Sequence, residues 1–210
     1  MKNNAQILLL CAKNIDFSMI HIAIFASGNG SNAENIVNYF AQNSNIQVSI
    51  IISNKKDAFV HERAKKFGIP SFTFSREEFQ TGDLILSKMV DYEIDFIVLA
   101  GFLLKVPNSI MNAYPGRIIN IHPALLPKFG GKGMYGGYVH QAVKDANETE
   151  TGITIHYINE NYDEGDVIFQ AKCSVLSSDT PDDIAHKVQS LEQRHFPEII
   201  ESLVKKINKK

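Results

Sequence analysis

The sequence has too few cysteines for a disulfide framework or a structural zinc site. Its 210 residues include only Cys11 and Cys173, without a CxxC pair or a cysteine–histidine cluster. This scarcity excludes a disulfide-rich secreted fold and a zinc-stabilised domain. We therefore expect a protein of a reducing compartment, the cytoplasm, that works without a metal ion.

The chain also lacks an excess of one charge and any long apolar run. A formal net charge of −2 gives no general attraction to nucleic acid. The basic residues of segment 205–210 are typical of a solvated helix end. No apolar run approaches the roughly 18 residues of a membrane-spanning helix. Nucleic acid and membranes are therefore not expected partners.

The first residues are predicted to be an extension outside the core fold. The apolar stretch 7–12 is short for a secretory signal, and no small-residue cleavage site follows it. Met19 stands just before the first convincing strand. The predicted organisation is an N-terminal extension, residues 1–18, followed by one domain, residues 19–210.

Apolar strands alternate with amphipathic helices over much of the chain. Four apolar runs are predicted as buried strands: residues 21–26, 46–52, 95–101 and 117–121. This alternation indicates an α/β fold with a mostly parallel twisted sheet flanked by helices, Rossmann-like in its N-terminal half. Residues 152–158 and 166–175 predict an antiparallel strand pair. A terminal helix follows, with Thr180 as its cap and Pro181 in its first turn.

Glycines predict two irregular features. Thr81 and Gly82 are expected to interrupt the helical pattern that begins at Arg76. Segment 129–137 holds five glycines and is predicted to be a mobile loop without regular structure, close to the site.

The loop after the first strand has the glycine spacing of a dinucleotide-binding fingerprint. Gly28, Gly30 and Ala33 fit the Gly-x-Gly-x-x-Ala pattern. A NAD site also needs an acidic residue after the second strand, where residues 53–55 offer only Ser-Asn-Lys, so a NAD oxidoreductase is not expected. The amides at the helix N-terminus instead predict a phosphate site formed by Gly30, Ser31 and Asn32. The alternative is a plain tight turn with Asn32 as the N-cap.

Asn120 and His122 stand two positions apart at the end of an apolar run. Residues two apart on a strand point to the same face, and Pro123 ends the strand. Ligands of open α/β sheets bind beyond the carboxyl ends of the strands. An amide that donates to an oxyanion, beside a histidine that transfers a proton, suits the attack of an amine on a carbonyl carbon. A purely structural pair is the alternative.

A carboxylate near His122 would favour the charged imidazole. The polar turn after residue 158 offers four candidates, among which spacing does not choose: Glu160, Asp163, Glu164 and Asp166. His156 is either a neighbour of the site or a core residue. The remaining histidines are interpreted as structural or surface residues: His21, His61, His140, His186 and His195. No Gly-x-Ser-x-Gly elbow supports a covalent serine mechanism.

Taken together, the motifs resemble the phosphoribosylglycinamide formyltransferase family, the folate-dependent transferases of purine biosynthesis. The resemblance runs from about His21 to the terminal helix, in the segments SGNGSN, ISNKKDA, VLAGFL, NIHPALLPK, GITIHYINENYDEGDVIFQAK and DDIAHKVQSLE. It implies formyl transfer from 10-formyltetrahydrofolate to the amine of a 5-phosphoribosyl glycinamide. Small molecules are then the expected partners, and the chain is expected to be a monomer or a weak homodimer.

The resemblance also implies roles for individual residues. Asn120 and His122 would be the catalytic amide and general acid, and Asp163 the carboxylate that raises the histidine pKa and organises a water. The implied substrate-binding residues are Gly30, Ser31, Asn32, Gln189 and Glu192. The implied folate-binding residues are Arg76, Leu103, Leu104, Lys105, Val106 and Asn120, with loop 159–163 closing over the pterin.

Three features depart from the family pattern. Glu164-Gly165-Asp166 stands where Gly-Gly-Pro is frequent, which adds charge that could shift the titration of His122. Leu104 occupies a position where a basic residue is common, and Lys105 is the available substitute. Segment 129–137 is longer and richer in glycine than its family counterpart.

Other functions remain open at this stage. A formyltransferase for a different amine would keep the Asn-x-His pair and the aspartate, but should lack the phosphate loop and usually carries a further C-terminal domain. A formate-releasing hydrolase would typically add an N-terminal regulatory domain. A catalytically silent nucleotide- or folate-binding module is the alternative from another class.

Overall fold

The computed structural model describes residues 19–207, which form a seven-stranded sheet covered by helices. The predicted extension, residues 1–18, lies outside the described residues. The strands are β1 Ile20–Phe25, β2 Ile46–Ser53, β3 Ser71–Thr73, β4 Phe96–Leu99, β5 Ile118–His122, β6 Glu150–Tyr157 and β7 Val167–Ser174. The helices are α1 Ser31–Phe40, α2 Val60–Lys66, α3 Arg76–Thr81, α4 Asp83–Asp91, α5 Asn108–Ala113, α6 Gly137–Asp145 and α7 Pro181–Val204.

The sheet confirms the predicted fold class. Its strand order is β3-β2-β1-β4-β5-β6-β7, and the five strands β1 to β5 run parallel to one another. Strands β6 and β7 add antiparallel pairs. The order reverses between β1 and β4, and such a switch point is where open α/β sheets bind ligands.

Alternating side chains of the strands build one apolar core on each face of the sheet. On β1, Ile22 and Ile24 pack on the face covered by α1 and α7, whereas Ala23 and Phe25 pack on the face covered by α3 and α4. All four are fully buried. Because both faces of the strand are covered, its sequence is apolar throughout rather than alternating.

Glycine Gly82 separates α3 from α4, as the sequence predicts. It adopts φ of 79°, and an added Cβ would lie 2.4 Å from Ser109 Oγ. The terminal helix α7 begins at Pro181 with the capping box of Thr180 and Asp183. Among the described residues no helix is long and apolar enough to cross a membrane.

Segment 129–137 consists mostly of turns, bends and irregular backbone. Its last residue, Gly137, is however the first residue of α6. The expectation that the whole segment lacks regular structure is therefore wrong at that position, because α6 begins one residue after Gly136, whose φ of 52° is unsuited to a helix.

Candidate active site

Strand β5 carries Asn120 and His122 to the carboxyl edge of the parallel strands. Their neighbours Ile119 and Ile121 point to the opposite side and are buried in the core that α1 and α7 cover. His122 is itself only 3% exposed. The alternation of a strand thus separates two buried apolar side chains from two polar side chains that point to the same face of the sheet.

Asp163 is the acidic residue that the structure places against this pair. Its Oδ2 lies 3.5 Å from His122 Nδ1, and its Oδ1 accepts a hydrogen bond from Asn120 Nδ2 at 3.4 Å. Glu164 instead accepts a hydrogen bond from Asn161, and it is exposed. Geometry therefore makes the choice among the acidic residues that spacing left open.

His156 is a neighbour of the site as well as a buried residue. Its Nδ1 lies 2.8 Å from the Tyr157 carbonyl oxygen, and since a carbonyl only accepts, Nδ1 carries the proton. The Nε2 atom is then the acceptor for Asn120 Nδ2 at 3.1 Å, and it lies 3.6 Å from Asp163. His156 thereby fixes the orientation of the Asn120 amide.

The glycine-rich segment contacts both members of the histidine–aspartate pair. The Phe129 carbonyl oxygen accepts a hydrogen bond from His122 Nε2 at 2.7 Å. The Gly131 amide donates to Asp163 Oδ2 at 2.9 Å. Phe129 and Asp163 both have positive φ angles, 57° and 58°, so the two backbones meet in left-handed conformations. The prediction that this segment lies close to the site is confirmed.

Burial and the neighbouring charges act in opposite directions on His122. Burial lowers the pKa of His122 below its usual value, although Asp163 and the Phe129 carbonyl favour the charged form. The net direction is opposite to the raised pKa that the family resemblance implies, because desolvation of the imidazolium outweighs its partners. For Asp163, burial favours the neutral acid, but His156, His122 and the Gly131 amide hold its pKa below the usual range.

The loop that is predicted to bind a phosphate, called the phosphate loop below, lies between β1 and α1. Helix α1 starts at Ser31, and its N-cap is Gly30, at φ of 75° and without a side-chain cap. The alternative that Asn32 is the N-cap is therefore wrong. Asn32 Nδ2 instead donates to Glu192 Oε2 of α7 at 2.9 Å, while its Oδ1 is buried without a partner among the described residues.

Glu192 faces this loop from the terminal helix. Burial raises the pKa of Glu192 to about 7, and the hydrogen bond from Asn32 only partly opposes this shift. Gln189 lies one turn earlier on the same face of α7 and is partly buried. The structure thus brings together the two separated parts of the implied substrate site.

The implied folate residues form a second group beside the switch point. The Leu103 amide donates to Ser27 Oγ at 2.9 Å, which fixes the chain after β4. Leu103 and Lys105 are exposed, whereas Leu104 packs against the core and Val106 is buried. Arg76 is exposed on α3. The rings of Phe79 on α3 and Phe102, 5.0 Å apart, hold the two segments together.

His140 is a buried residue near the site that the sequence interpretation did not connect with His122. It is 7% exposed on α6, and its Nδ1 has no hydrogen-bond partner within residues 19–207. Burial lowers the pKa of His140, and the nearby His122 lowers it further. No periodicity or spacing signals this proximity, because it depends on how the glycine-rich segment folds back.

A cavity of about 310 Å³ lies at the opposite, amino edge of the parallel strands. It is lined by residues such as Phe96, Arg117 and Lys206 and by none of the predicted site residues. Within residues 19–207 no three or more histidines, cysteines or acidic residues are grouped to hold a metal ion.

The fold is that of the open α/β proteins that bind ligands beyond the carboxyl ends of their strands, and the Asn120–His122 pair with Asp163 lies at that edge. The family described as Formyl transferase matches residues 20–200. The chain therefore belongs to the formyl transferase family.

Two sequence relatives of this chain carry the same enzyme name. Phosphoribosylglycinamide formyltransferase, chloroplastic, of Arabidopsis thaliana is 40% identical over 185 residues, which cover 85% of this chain and 63% of that protein. Phosphoribosylglycinamide formyltransferase of Bacillus subtilis is 36% identical over 191 residues, covering 89% and 95%. The chain thus spans less than two thirds of the Arabidopsis relative and nearly all of the Bacillus relative.

Two solved structures of enzymes with the same or an equivalent name are also similar to this chain. Phosphoribosylglycinamide formyltransferase from Streptococcus pneumoniae superposes with a TM-score of 0.78 at 34% identity, over 89% of this chain and 99% of that chain. Glycinamide ribonucleotide transformylase 1 from Symbiobacterium toebii gives 0.82 at 29% identity, over 89% and 88%.

Proposed function

We propose that the chain transfers a formyl group from 10-formyltetrahydrofolate to the amine of 5-phosphoribosyl glycinamide, a step of purine biosynthesis. The observation that carries the proposal is the contact of Asp163 with both Asn120 and His122 at the switch-point edge of a formyl transferase fold. The names of the relatives and of the solved structures support this choice of reaction.

The proposed chemistry is direct attack of the glycinamide amine on the formyl carbon. A carbon–nitrogen bond forms, and the formyl oxygen becomes an oxyanion that receives hydrogen bonds from Asn120 and His122. Each such donor contributes on the order of 3 kcal/mol to lowering the barrier. To reach the formyl oxygen, the Nε2 hydrogen of His122 must leave the Phe129 carbonyl that it contacts here.

Two proton transfers complete the reaction. The proton lost by the attacking nitrogen passes to His122 through a water held by Asp163, whose low pKa keeps it ionised for that task. His122 protonates N10 of the folate as the bond from carbon to N10 breaks. The formyl group thus moves between two nitrogens without a covalent bond to the protein.

The binding residues belong to the same proposal. The phosphate would contact the amides of Gly30, Ser31 and Asn32, and Gln189 and Glu192 would contact the phosphoribosyl group. The folate-type donor would contact Arg76, the segment 103–106 and Asn120, under loop 159–163. The arrangement of the phosphate loop against α7 supports the first group, since Asn32 already bonds to Glu192.

The setting is proposed from the sequence and from the family. We propose a cytoplasmic, metal-independent protein whose partners are small molecules, with residues 1–18 as an extension of a domain spanning 19–210. The proposed state is a monomer or a weak homodimer.

A panel of acceptors tests the reaction. Purified protein is mixed with 10-formyltetrahydrofolate and either glycinamide ribonucleotide, a nucleotide-sugar amine or an aminoacyl-tRNA, and loss of the formyl-folate absorbance is followed. Turnover with the ribonucleotide alone is expected. Faster turnover with another amine would show that this amine, and not glycinamide ribonucleotide, is the acceptor. Folate binding without turnover on any acceptor would indicate a silent binding module.

A further inference from the structure

Helix α2 holds three consecutive residues of the phosphate loop. The Val60 amide donates to the Gly28 carbonyl at 3.1 Å, and Arg63 Nε donates to the Asn29 carbonyl at 2.8 Å. Arg63 also donates to the Asn29 side-chain oxygen. At Gly30 an added Cβ would lie 2.5 Å from Val60 Cγ2. The side chains of Val60 and Arg63 on α2 therefore constrain the conformation of the loop.

These contacts determine where the free amides of the loop point. In a trans peptide the carbonyl and the N–H point in opposite directions. Because the carbonyls of Gly28 and Asn29 face α2, the N–H groups of Asn29 and Gly30 face away from it. Neither N–H donates a hydrogen bond within residues 19–207. Successive free amides of this kind form a concave site for an anion.

Arg63 acts on one of these amides through the peptide bond. The Asn29 carbonyl and the Gly30 N–H belong to the same peptide unit, so a cation on the oxygen polarises the N–H toward stronger donation. The Arg63 side chain is 20% exposed, which preserves part of this effect from solvent screening. Glu34 forms an ion pair with the same guanidinium. The guanidinium is thus committed to protein groups rather than open to a ligand.

We propose that Arg63 is a positioning residue for the phosphate of the substrate, acting by orienting and polarising the Asn29–Gly30 peptide without touching the phosphate. The inference rests on the proposed function, because it assigns the anion at this loop to the phosphate of the amine acceptor. It adds α2 to the phosphate site, which the sequence pattern confines to the loop and α1.

Lys66 provides a matched control on the same helix. Its ammonium lies 3.0 Å from Glu34 Oε1, so it shares the acidic partner of Arg63. Its side chain is 68% exposed, and its ion pair with Glu34 is separate from the contacts that Arg63 makes with Asn29. Replacing Lys66 therefore removes a positive charge from α2, as replacing Arg63 does, but leaves the contact between Arg63 and Asn29 intact.

The experiment compares Arg63→Met, Arg63→Lys and Lys66→Met with two acceptors, glycinamide ribonucleotide and its dephosphorylated riboside. A tenfold change in affinity corresponds to about 1.4 kcal/mol. For Arg63→Met we expect KM for the ribonucleotide to rise about tenfold, kcat to stay within about twofold, and kcat/KM for the riboside to remain unchanged. Arg63→Lys should recover part of the loss, and Lys66→Met should match the wild type.

Several outcomes would overturn the proposal. An equal loss on both acceptors, an effect on kcat alone, or an equal defect in Lys66→Met would show that Arg63 does not act through the phosphate. Thermal unfolding of each variant identifies a loss that reflects folding.

Binding of glycinamide ribonucleotide by calorimetry separates this proposal from the proposed function. If the wild type binds the ribonucleotide without formylating it, the reaction fails, while weaker binding by Arg63→Met than by Lys66→Met still supports the role of Arg63. Equal binding by the two variants contradicts it.

Discussion

Asp163 joins residues that are far apart in the sequence. It contacts His122 and Asn120 of β5, His156 of β6 and the Gly131 amide of the glycine-rich segment. The carboxylate thereby compensates part of the cost of placing two histidines in a buried site. Its negative charge, together with the Phe129 carbonyl, favours the protonated form of His122 against the effect of burial.

Replacing Asp163 with asparagine should change how His122 titrates. The carboxylate raises the pKa of His122 against the effect of burial, so removing the charge lets burial dominate and the pKa falls further. NMR titration of the His122 imidazole should therefore show a midpoint at lower pH in Asp163→Asn than in the wild type. The groups that face His122 are otherwise the same: His156 and His140.

Glu198→Gln is the control for that titration, because Glu198 is exposed on α7 and pairs with His195 rather than with His122. It should leave the His122 midpoint unchanged. A midpoint that moves upward in Asp163→Asn would mean that the carboxylate does not stabilise the imidazolium.

Glu192 should make stability depend on pH in a direction unusual for an acid. Its pKa is about 7 in the folded chain against a usual 4.5, so the folded state binds the extra proton between those values. Stability is present in full below about pH 4.5 and is lost as the pH rises through 7. Glu192→Gln keeps the neutral form, so its melting temperature should exceed that of the wild type at pH 8 and match it at about pH 4. An increase of equal size at both values would contradict this.

Some of these residue contacts could be predicted and others could not. The two-residue spacing of Asn120 and His122 follows from strand geometry, which is local. The choice of Asp163 among four acidic residues came from resemblance, since charge alone does not fix which side chain turns inward. His140 and the Phe129 carbonyl were not predicted, because they approach His122 through the path of a loop with several left-handed residues.

Among the elements, the phosphate loop depends most on a single glycine. Gly30 combines φ of 75° with close contact to Val60, so both its conformation and its missing Cβ are needed. Strain of this kind costs about 1–3 kcal/mol per residue. Gly30→Ala should lower the free energy of unfolding by that amount and weaken binding of the ribonucleotide.

Gly28 is the control for stability in the same loop. An added Cβ there meets nothing within 4 Å, and Gly28 has no positive φ. Denaturant unfolding of Gly28→Ala should therefore stay within about 0.5 kcal/mol of the wild type. Equal destabilisation by both substitutions would mean that the contact with Val60 is not what restricts Gly30.

The long apolar strands and capped helices were predictable, whereas short elements were not. Strands β1, β2, β4 and β5 are buried on both faces and so appear as apolar runs. Strand β3 has three residues and α5 has six, too few for a periodic signal. Helix α6 was also missed, because its two leading glycines resemble a loop.

At the scale of the whole molecule, the segments proposed to bind the two ligands lie on either side of the switch point of the sheet. The phosphate loop follows β1 and the folate segment follows β4, its neighbour in the sheet. Strand β5 then presents Asn120 and His122 beside them. The order of the strands, which long-range pairing determines, thus brings the two proposed ligand-binding segments and the Asn120–His122 pair to one edge of the sheet.

The steady-state rate of formyl transfer to glycinamide ribonucleotide in His122→Ala tests the central claim most directly. The account predicts that kcat falls by two to three orders of magnitude, since one oxyanion donor contributes about 3 kcal/mol, while KM for both substrates stays within about threefold. His186→Ala, an exposed position on α7, should keep the wild-type rate. A His122→Ala protein that retains kcat, or that loses only substrate affinity, would contradict the assignment of β5 as the catalytic strand.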